Sequence, residues 1–442
     1  MRISQLTCLC TGVLRHVGKS KKYAGSARLA AAELFRKEKD LHNKPKEALI
    51  HMSKRKALTW YQAWGIRLIA IVAALVVCAV ITSLTTGLNP IEVYATMFAG
   101  AFGTTRRMWI LGKEVAILLC ISLALTPAFR MRFWNLGGEG QILIGALGTA
   151  ACMIVLGDTL PNVILIPVSI IAAIGCGAVW ALIPALCKAK WNTNETLFTL
   201  MMNYVATQLV AYYVIVWEVP KGSGKIGIIN QSTEAGWLPV IAGNRYLLNI
   251  LCVAIMTIGM YIYLTYSKHG YEISVVGESV ATARYVGIKV GWTIIRTLML
   301  SGAICGFTGY LLVAGTDHTL TTTLAGGQGF TAVMVAWLAK FNPLGMVLSS
   351  LLLIFLGRGA GEIATAFSLN QSFGDILTGV ILFFIIGSEF FISYKLHFRG
   401  SGHNTGADKD VPETSPDSVT SGTSDGQDSE NSKEKREDSA NV

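Results

Sequence analysis

One acidic residue, Glu139, lies at the start of a long apolar run, where an ionisable group is unusual. It precedes the apolar run QILIGALGTAACMIVLG and is flanked by Asn135 and Gln141. An ionisable group within a membrane segment costs about 2.5–3.5 kcal/mol on insertion scales, so such groups tend to be paired or to face a pathway. A carboxylate in the first turn of a helix is also favoured by the helix dipole. Two interpretations follow: Asn135, Glu139 and Gln141 line or brace a translocation path, or Glu139 stabilises the start of its own helix.

No arrangement of residues in the chain is typical of an active site or a metal site. The seven histidines are scattered, and the cysteines lack the paired spacing of metal ligands. The GSGKIG stretch at 222–227 fits a dinucleotide pattern, but no predicted strand precedes it and no predicted helix follows it. The GVLRHVGKS stretch at 12–20 has one residue too many for a phosphate loop. We therefore expect no catalytic residue, no metal and no cofactor, and we expect any ATP to be hydrolysed by a separate subunit.

The composition is that of a membrane protein. Hydrophobic residues make up 52% of the 442 residues and charged residues only 14%, whereas soluble domains average roughly 25% charged residues. About 20 mostly apolar residues are enough to cross a bilayer. We predict an all-α, polytopic membrane protein with about ten transmembrane helices, at approximately 64–86, 114–129, 140–157, 162–187, 196–217, 245–266, 293–315, 328–340, 343–357 and 375–396.

The distribution of charge predicts how these helices are oriented. The net charge is +10, and the first sixty residues are rich in Lys and Arg, which membrane proteins keep on the cytoplasmic side. An even number of crossings then places both termini in the cytoplasm. Because orientation accounts for the basic charge, we expect the lipid bilayer as the surroundings and no nucleic-acid partner.

Two terminal segments flank the predicted transmembrane domain, which covers residues 61–398. Residues 1–60 form a basic cytoplasmic segment, and residues 1–51 would be untranslated if synthesis starts at Met52, whose MSKRK sequence is typical of a short basic start. Residues 399–442 form an acidic tail that is rich in Ser. This tail is too polar to bury enough surface to offset chain entropy, so we expect it to be disordered.

Two similar glycine clusters interrupt the apolar segments. GGEGQ stands at 137–141 and GGQGF at 326–330. The segment 114–129 is short and should break at Pro127, and 328–340 is too short to cross a bilayer comfortably. Paired Gly-interrupted segments are typical of discontinuous helices in an internal repeat. Chance similarity is the alternative, because the chain contains 45 glycines.

Two further stretches predict contacts between helices or with a partner. Gly302, Gly306 and Gly309 share one helical face, which favours close helix packing in lipid. Within the loop 267–292, residues 278–285 can form two helical turns. Such a short helix could dock into a groove of a partner protein, or the segment could be an ordinary solvated loop.

Five stretches, taken together and in order, resemble a known family. They are NLGGEGQILIGALGTA at 135–150, NETLFTLMMNYVA at 194–206, VGESVATARYVGIKV at 276–290, LSGAICGFTGYLLVAG at 300–315 and GQGFTAVMVAWLAKFNPLG at 327–345. The resemblance is to permease subunits of bacterial ABC importers of the branched-chain amino acid, ribose and nucleoside group. It covers residues 55–397 and is greatest to the nucleoside-type permeases that are linked to basic-membrane-protein lipoproteins.

The resemblance implies partners, a location and functional residues. It implies a second permease subunit, identical or related, a cytoplasmic ABC ATPase and an extracellular binding lipoprotein, in the bacterial cytoplasmic membrane. The solute would be a nucleoside, with a simple-sugar or riboflavin-like permease and a proton-coupled secondary transporter as alternatives. The translocation path would include Asn203, Gln328 and Phe330 beside the residues around Glu139, and the ATPase-coupling loop would include Gly277, Ala281, Ala283, Arg284 and Gly287.

Overall fold

The computed structural model describes residues 50–54 and 60–398, and this part of the chain is almost entirely helical. The thirteen α-helices are α1 Trp60–Thr86, α2 Pro90–Phe102, α3 Thr105–Arg130, α4 Gly138–Leu156, α5 Asn162–Trp191, α6 Glu195–Trp217, α7 Leu247–Tyr266, α8 Lys268–Glu278, α9 Val280–Tyr285, α10 Val290–Leu312, α11 Gln328–Leu338, α12 Pro343–Ala366 and α13 Gln371–Ser393. A π-helical turn, Val313–Asp317, continues α10. Two strands, β1 Ile50–Lys54 and β2 Tyr394–Phe398, pair as a two-stranded sheet.

Nine helices of the described residues are long and apolar enough to cross a membrane. They form because only a helix satisfies the backbone groups of a long apolar stretch in lipid. Some of them also begin at a capping side chain: those of Thr104, Asn194 and Asn342 accept hydrogen bonds from the first free backbone N–H groups of α3, α6 and α12. The helices α3, α4 and α10 are the most enclosed of the nine, and α1 is the least enclosed. This confirms the predicted all-α, polytopic membrane fold.

Two membrane helices are longer than predicted. The predicted break at Pro127 is wrong, because α3 continues to Arg130 and Pro127 lies in its last turn, where few backbone hydrogen bonds remain to be lost. The predicted spans 114–129 and 343–357 omit the start of α3 and the end of α12, which carry charged residues. In the structure these charges pair with each other: Arg107 with Glu362, and Glu114 with Arg358.

The predicted span at 328–340 is a short helix preceded by non-helical chain. At one end of the helical bundle, the backbone N–H of Ile229 donates to the carbonyl of His318. At the other end, Trp337 of α11 stacks on Trp134, with ring centroids 5.4 Å apart. The 11 residues of α11 span only about 16 Å. Residues 318–338 therefore pass through the bundle as an irregular stretch followed by a half-length helix.

Glycines allow α10 to pack directly on the backbones of α4 and α5. A Cβ atom added at Gly302 would lie 2.3 Å from the carbonyl oxygen of Gly177, and one at Gly306 would lie 2.2 Å from that of Ala173. A Cβ atom at Gly309 would lie 2.4 Å from the carbonyl oxygen of Ile142. No side chain fits at such distances, so backbones approach each other closely along the face predicted for helix packing.

Residues 54–395 form one compact unit, which contains all the helices described here. Most of the basic segment 1–60 and the whole acidic tail 399–442 lie outside the described residues. The expectations about translation from Met52 and about a disordered tail therefore stay predictions.

Candidate functional site

The two glycine clusters meet at the carboxylate of Glu139. Its Oε1 atom accepts a hydrogen bond from the backbone N–H of Gly327 at 2.8 Å, and its Oε2 atom accepts one from Gly329 at 2.9 Å. These donors are the free N–H groups at the start of α11, which carry partial positive charge. Glu139 itself is in the first turn of α4. It therefore caps a second helix, and we refer to this contact as the Glu139 bridge.

Glycine is required at the bridge because the two segments approach very closely. A Cβ atom added at Gly329 would lie 2.7 Å from both the backbone nitrogen and the Oε2 atom of Glu139. Gly327 has a φ of +75°, a left-handed conformation that other residues rarely adopt. The GGQGF cluster thus presents its backbone to Glu139 without side chains in between.

A network of amides holds the other side of the bridge. The amide of Asn203 accepts from the N–H of Gly140 at 2.9 Å and donates to the carbonyl of Leu136 at 2.8 Å. The amide of Asn135 accepts from the N–H of Gly137 at 3.0 Å and donates to the hydroxyl of Ser301 at 3.1 Å. The carboxylate of Glu139 is thereby fixed relative to α6 and α10.

The residues predicted to line a translocation path fall into two groups. Asn135, Gln141 and Asn203 are buried, with exposed fractions of 0%, 1% and 6%, so they brace the loop before α4. Gln328, in contrast, lines a cavity, and the ring of Phe330 is 45% exposed. Glu139 lies between the two groups and is partly exposed.

Two ion pairs join α3 to α12, and sequence reasoning missed them. Arg107 Nη2 lies 2.6 Å from Glu362 Oε1. Arg358 forms a two-pronged contact with Glu114, in which its Nε atom lies 2.5 Å from Oε2 and its Nη2 atom contacts Oε1. The spacing of the arginine and the glutamate on α12, four residues apart, was a signal that both lie on one helical face. Partners on a distant helix could not be read from sequence.

The segment predicted to couple to an ATPase consists of two helices, α8 and α9, and the turn that follows. The prediction of one helix over 278–285 is wrong in its start, because Glu278 ends α8 and Ser279 caps α9 by accepting a hydrogen bond from Thr282 N–H at 3.2 Å. We call residues 268–287 the coupling segment. A Cβ atom added at Gly277 would lie 2.1 Å from the carbonyl oxygen of Arg130, so α8 packs against the end of α3.

The outer side of the coupling segment is exposed. The Ala283 side chain is buried, whereas Ala281 and Arg284 are exposed and Tyr285 is 93% exposed. Gly287 has a φ of +87°, and a Cβ atom there would contact nothing within 4 Å. An adjacent groove of about 1040 Å³ is lined by residues of this segment together with Arg132, Lys188 and Glu195.

A buried histidine attaches the coupling segment to the membrane helices. His269 in α8 is 5% exposed; its Nδ1 atom contacts the hydroxyl of Tyr263, and its Nε2 atom lies 3.3 Å from that of Thr297. Burial lowers the pKa of His269, and the positive charge of Arg296 acts in the same direction. The two contacts of the imidazole thus join α8 to α7 and α10.

Within residues 50–54 and 60–398 no group of side chains is arranged to hold a metal ion.

Comparison with known proteins gives one family and several relatives. Residues 110–386 match the family described as the permease component of branched-chain amino acid transport systems. A glucose ABC transporter permease of Haloferax volcanii is 27% identical over 376 residues, covering 81% of this chain and 97% of that protein.

Two further relatives have names that concern nucleosides. A guanosine ABC transporter permease of Bacillus subtilis is 28% identical over 340 residues, covering 76% of this chain and 97% of that protein. A nucleoside ABC transporter permease of Lactococcus lactis subsp. cremoris is 27% identical over 327 residues, covering 72% of this chain and 89% of that protein.

Proposed function

Because the chain belongs to the family of permease components of branched-chain amino acid transport systems, we propose that it is the membrane-spanning subunit of an ABC importer for a nucleoside. The observation that carries the proposal is the similarity to a guanosine permease over 97% of that protein. A simple sugar is the second candidate solute, because the glucose permease covers the chain equally well. A relative described as a probable riboflavin import permease matches a smaller share, 57% of this chain.

We place the energy input at the coupling segment. The chain is not itself an enzyme, so ATP must be hydrolysed by a partner that contacts the permease. Exposed apolar side chains on a short helix, above all Tyr285 and Val286, are suited to a groove in such a partner. Arg284 would add a charge-assisted hydrogen bond to an acidic group there. Gly277, Ala281, Ala283 and Gly287 would let the segment fit closely between the ATPase and α3.

We propose that this end of the bundle faces the cytoplasm. The groove described above is lined by Lys188 and by Arg284 and Lys289, which come from two segments predicted to be cytoplasmic, and this supports the orientation. With residues 318–338 counted as one broken crossing, the chain crosses ten times and both termini are cytoplasmic. A binding lipoprotein would then deliver the solute at the opposite end, and a second permease, identical or related, would complete the path.

We assign the translocation path to the region around the Glu139 bridge. A carboxylate that holds a half-length helix inside a membrane is costly unless the site is packed in protein or lines a cavity. Gln328 and Phe330 would line the path, while Asn135, Gln141 and Asn203 would hold the loop in place. A proton-coupled mechanism is less favoured because family membership supplies an ATPase as the energy source.

Uptake into proteoliposomes tests the proposal. The permease, its ATPase and its binding protein are reconstituted, and uptake of radiolabelled guanosine and of radiolabelled glucose is measured with ATP and with a non-hydrolysable analogue. We expect ATP-dependent accumulation of guanosine. Accumulation of glucose alone would replace the nucleoside by a sugar, and accumulation of guanosine that follows a pH gradient without ATP would contradict an ABC importer.

A further inference from the structure

A cavity of about 390 Å³ lies between α3, α11, α12 and α13, next to the Glu139 bridge. It is directly linked to the bridge because Gln328, one of its lining residues, stands between the two glycines that Glu139 holds. Its polar lining consists of Glu114, Gln328, Thr331, Arg358 and Thr378, and its apolar lining is mainly Leu118, Met334, Leu353, Ile354 and Leu382. Its volume falls within the roughly 300–1,000 Å³ of small-molecule sites.

The charged groups of this cavity neutralise each other but remain accessible. The guanidinium of Arg358 and the carboxylate of Glu114 form the two-pronged ion pair described above, and their side chains are 42% and 21% exposed. The pair lies within two helices long enough to cross a membrane. An arginine that is nearly half exposed at such a position is expensive against lipid, so it faces water, a solute or another protein surface.

One acceptor beside the cavity, on a residue that lines it, has no donor. The amide oxygen Oε1 of Gln328 is buried and accepts no hydrogen bond from any residue of the described chain. Buried polar atoms are nearly always paired, so an unpaired one calls for an explanation. The hydroxyls of Thr331 and Thr378 lie on the same cavity and could each donate or accept. The site thus combines an unused acceptor, two hydroxyls and the outer edge of an ion pair.

We propose that this cavity is a solute subsite of the transporter, for an uncharged ring compound that carries hydroxyl or amide groups. The proposal rests on the proposed function and adds to it the place and the chemistry of recognition. The Gln328 amide turns its oxygen toward the cavity and accepts from a donor of the solute. The hydroxyls of the solute pair with Thr331, Thr378 and the outer edge of the Glu114–Arg358 pair, and its ring packs on the leucines. A solute with a net charge is disfavoured, because it would upset the neutral balance of Glu114 and Arg358.

Cysteine protection tests whether the cavity binds solute. Thr331→Cys and Thr378→Cys are made separately in the complete transporter in proteoliposomes and labelled with a small water-soluble methanethiosulfonate, with the unchanged permease giving the background. Ile376→Cys on α13 serves as a matched control, because that residue is exposed but does not line the cavity. We expect both threonine positions to be labelled and guanosine to protect them at least about fivefold. Inosine monophosphate, a charged analogue, should not protect them, and labelling at Ile376→Cys should not respond to either compound.

Charge exchange separates solute contact from a merely structural ion pair. The double exchange Glu114→Arg with Arg358→Glu keeps an ion pair in the cavity with its two charges exchanged. The control, Arg107→Glu with Glu362→Arg, exchanges the charges of the other ion pair between the same two helices, which lies outside the cavity. We expect both proteins to reach the membrane. Only the first exchange should raise the guanosine concentration for half-protection of Thr378→Cys, by about tenfold or more, as expected when hydrogen bonds at a charged site are lost.

The possible results distinguish this proposal from the proposed function. ATP-dependent guanosine uptake without protection at either cysteine, or with neither cysteine labelled, would overturn the subsite and leave the importer intact. Equal effects of the two charge exchanges would likewise reduce Glu114 and Arg358 to a structural pair. Absence of ATP-dependent uptake of both guanosine and glucose by the unchanged transporter would overturn the proposed function, and the subsite with it.

Discussion

Replacing Glu139 by glutamine removes the charge of the bridge while almost preserving its shape. The carboxylate accepts two backbone N–H groups, from Gly327 and Gly329. A glutamine side chain has one carbonyl oxygen and one amide nitrogen, so it accepts only one of the two, and its own N–H group then faces the other donor. The start of α11 thus loses one hydrogen bond and keeps a weaker second one.

The size of this loss follows from the two contacts. A hydrogen bond to a charged group contributes about 1.5–3 kcal/mol and a neutral one about 0.5–1.5 kcal/mol. Two charged bonds replaced by one neutral bond, at a partly exposed site, correspond to a loss of about 3 kcal/mol. Since 1.4 kcal/mol is a factor of ten, the conformation held by the bridge becomes roughly 100-fold less populated against its alternatives. A carboxylate that only stabilised its own helix start would lose about 0.3–1 kcal/mol, roughly fivefold at most.

The assay is ATP-dependent uptake in proteoliposomes, normalised to the amount of inserted permease. Glu92→Gln is the matched control, because Glu92 is also in the first turn of a helix, α2, but its carboxylate is exposed and accepts no hydrogen bond within the described chain. We expect Glu139→Gln to lower uptake at least about tenfold at a normal membrane level and Glu92→Gln to change it less than about twofold. If the two variants behave alike, the bridge does not matter for transport and only the helix-start interpretation survives.

Three further predictions concern the packing and the coupling segment. Gly287→Trp should weaken ATPase association and substrate-stimulated ATP hydrolysis. Gly287→Ala is equally strained at a φ of +87° but adds only a small side chain, so it should keep ATPase association. Loss of association in both variants would point to backbone strain instead. Gly306→Leu should abolish membrane insertion, because a Cβ atom there would lie 2.2 Å from a carbonyl oxygen, while Gly175→Leu on α5 has open space and should insert normally. The folded state lowers the pKa of His269 from 6.5, so this residue stabilises the fold above about pH 6.5 and loses that contribution as the pH falls. Substrate-stimulated ATP hydrolysis should therefore decline between pH 7.5 and pH 5.5, and His269→Gln should remove that decline.

The sequence predicted the long helices correctly where the lipid surroundings alone are enough to make a segment helical. Stretches of about 20 apolar residues form helices because only helices satisfy their backbone groups in lipid. The short helix α2 was missed because it is shorter than a membrane span, although Asn89, Pro90 and Glu92 are typical of a helix start and could have indicated it.

The ends of α3 and α12 were missed for a different reason. Arg107, Glu114, Arg358 and Glu362 appear in sequence as charges that should end a membrane segment. In the structure each is neutralised by a residue more than 240 positions away in the chain. The role of Glu139 was left open on the same ground, because its donors, Gly327 and Gly329, are 188 and 190 positions away. Pairing across a fold depends on topology, which neither hydropathy nor spacing reports.

The coupling segment and the Glu139 bridge are joined by unbroken close contacts, which gives the fold a way to transmit movement. Gly277 packs on the carbonyl of Arg130, where α3 ends. The seven residues between α3 and α4 are then held at Asn135 by hydrogen bonds to Gly137 and Ser301. The carboxylate of Glu139 follows at once and holds the start of α11. We therefore predict that a partner that moves α8 also moves the end of α3, and that the short, hydrogen-bonded loop passes this displacement on to α11.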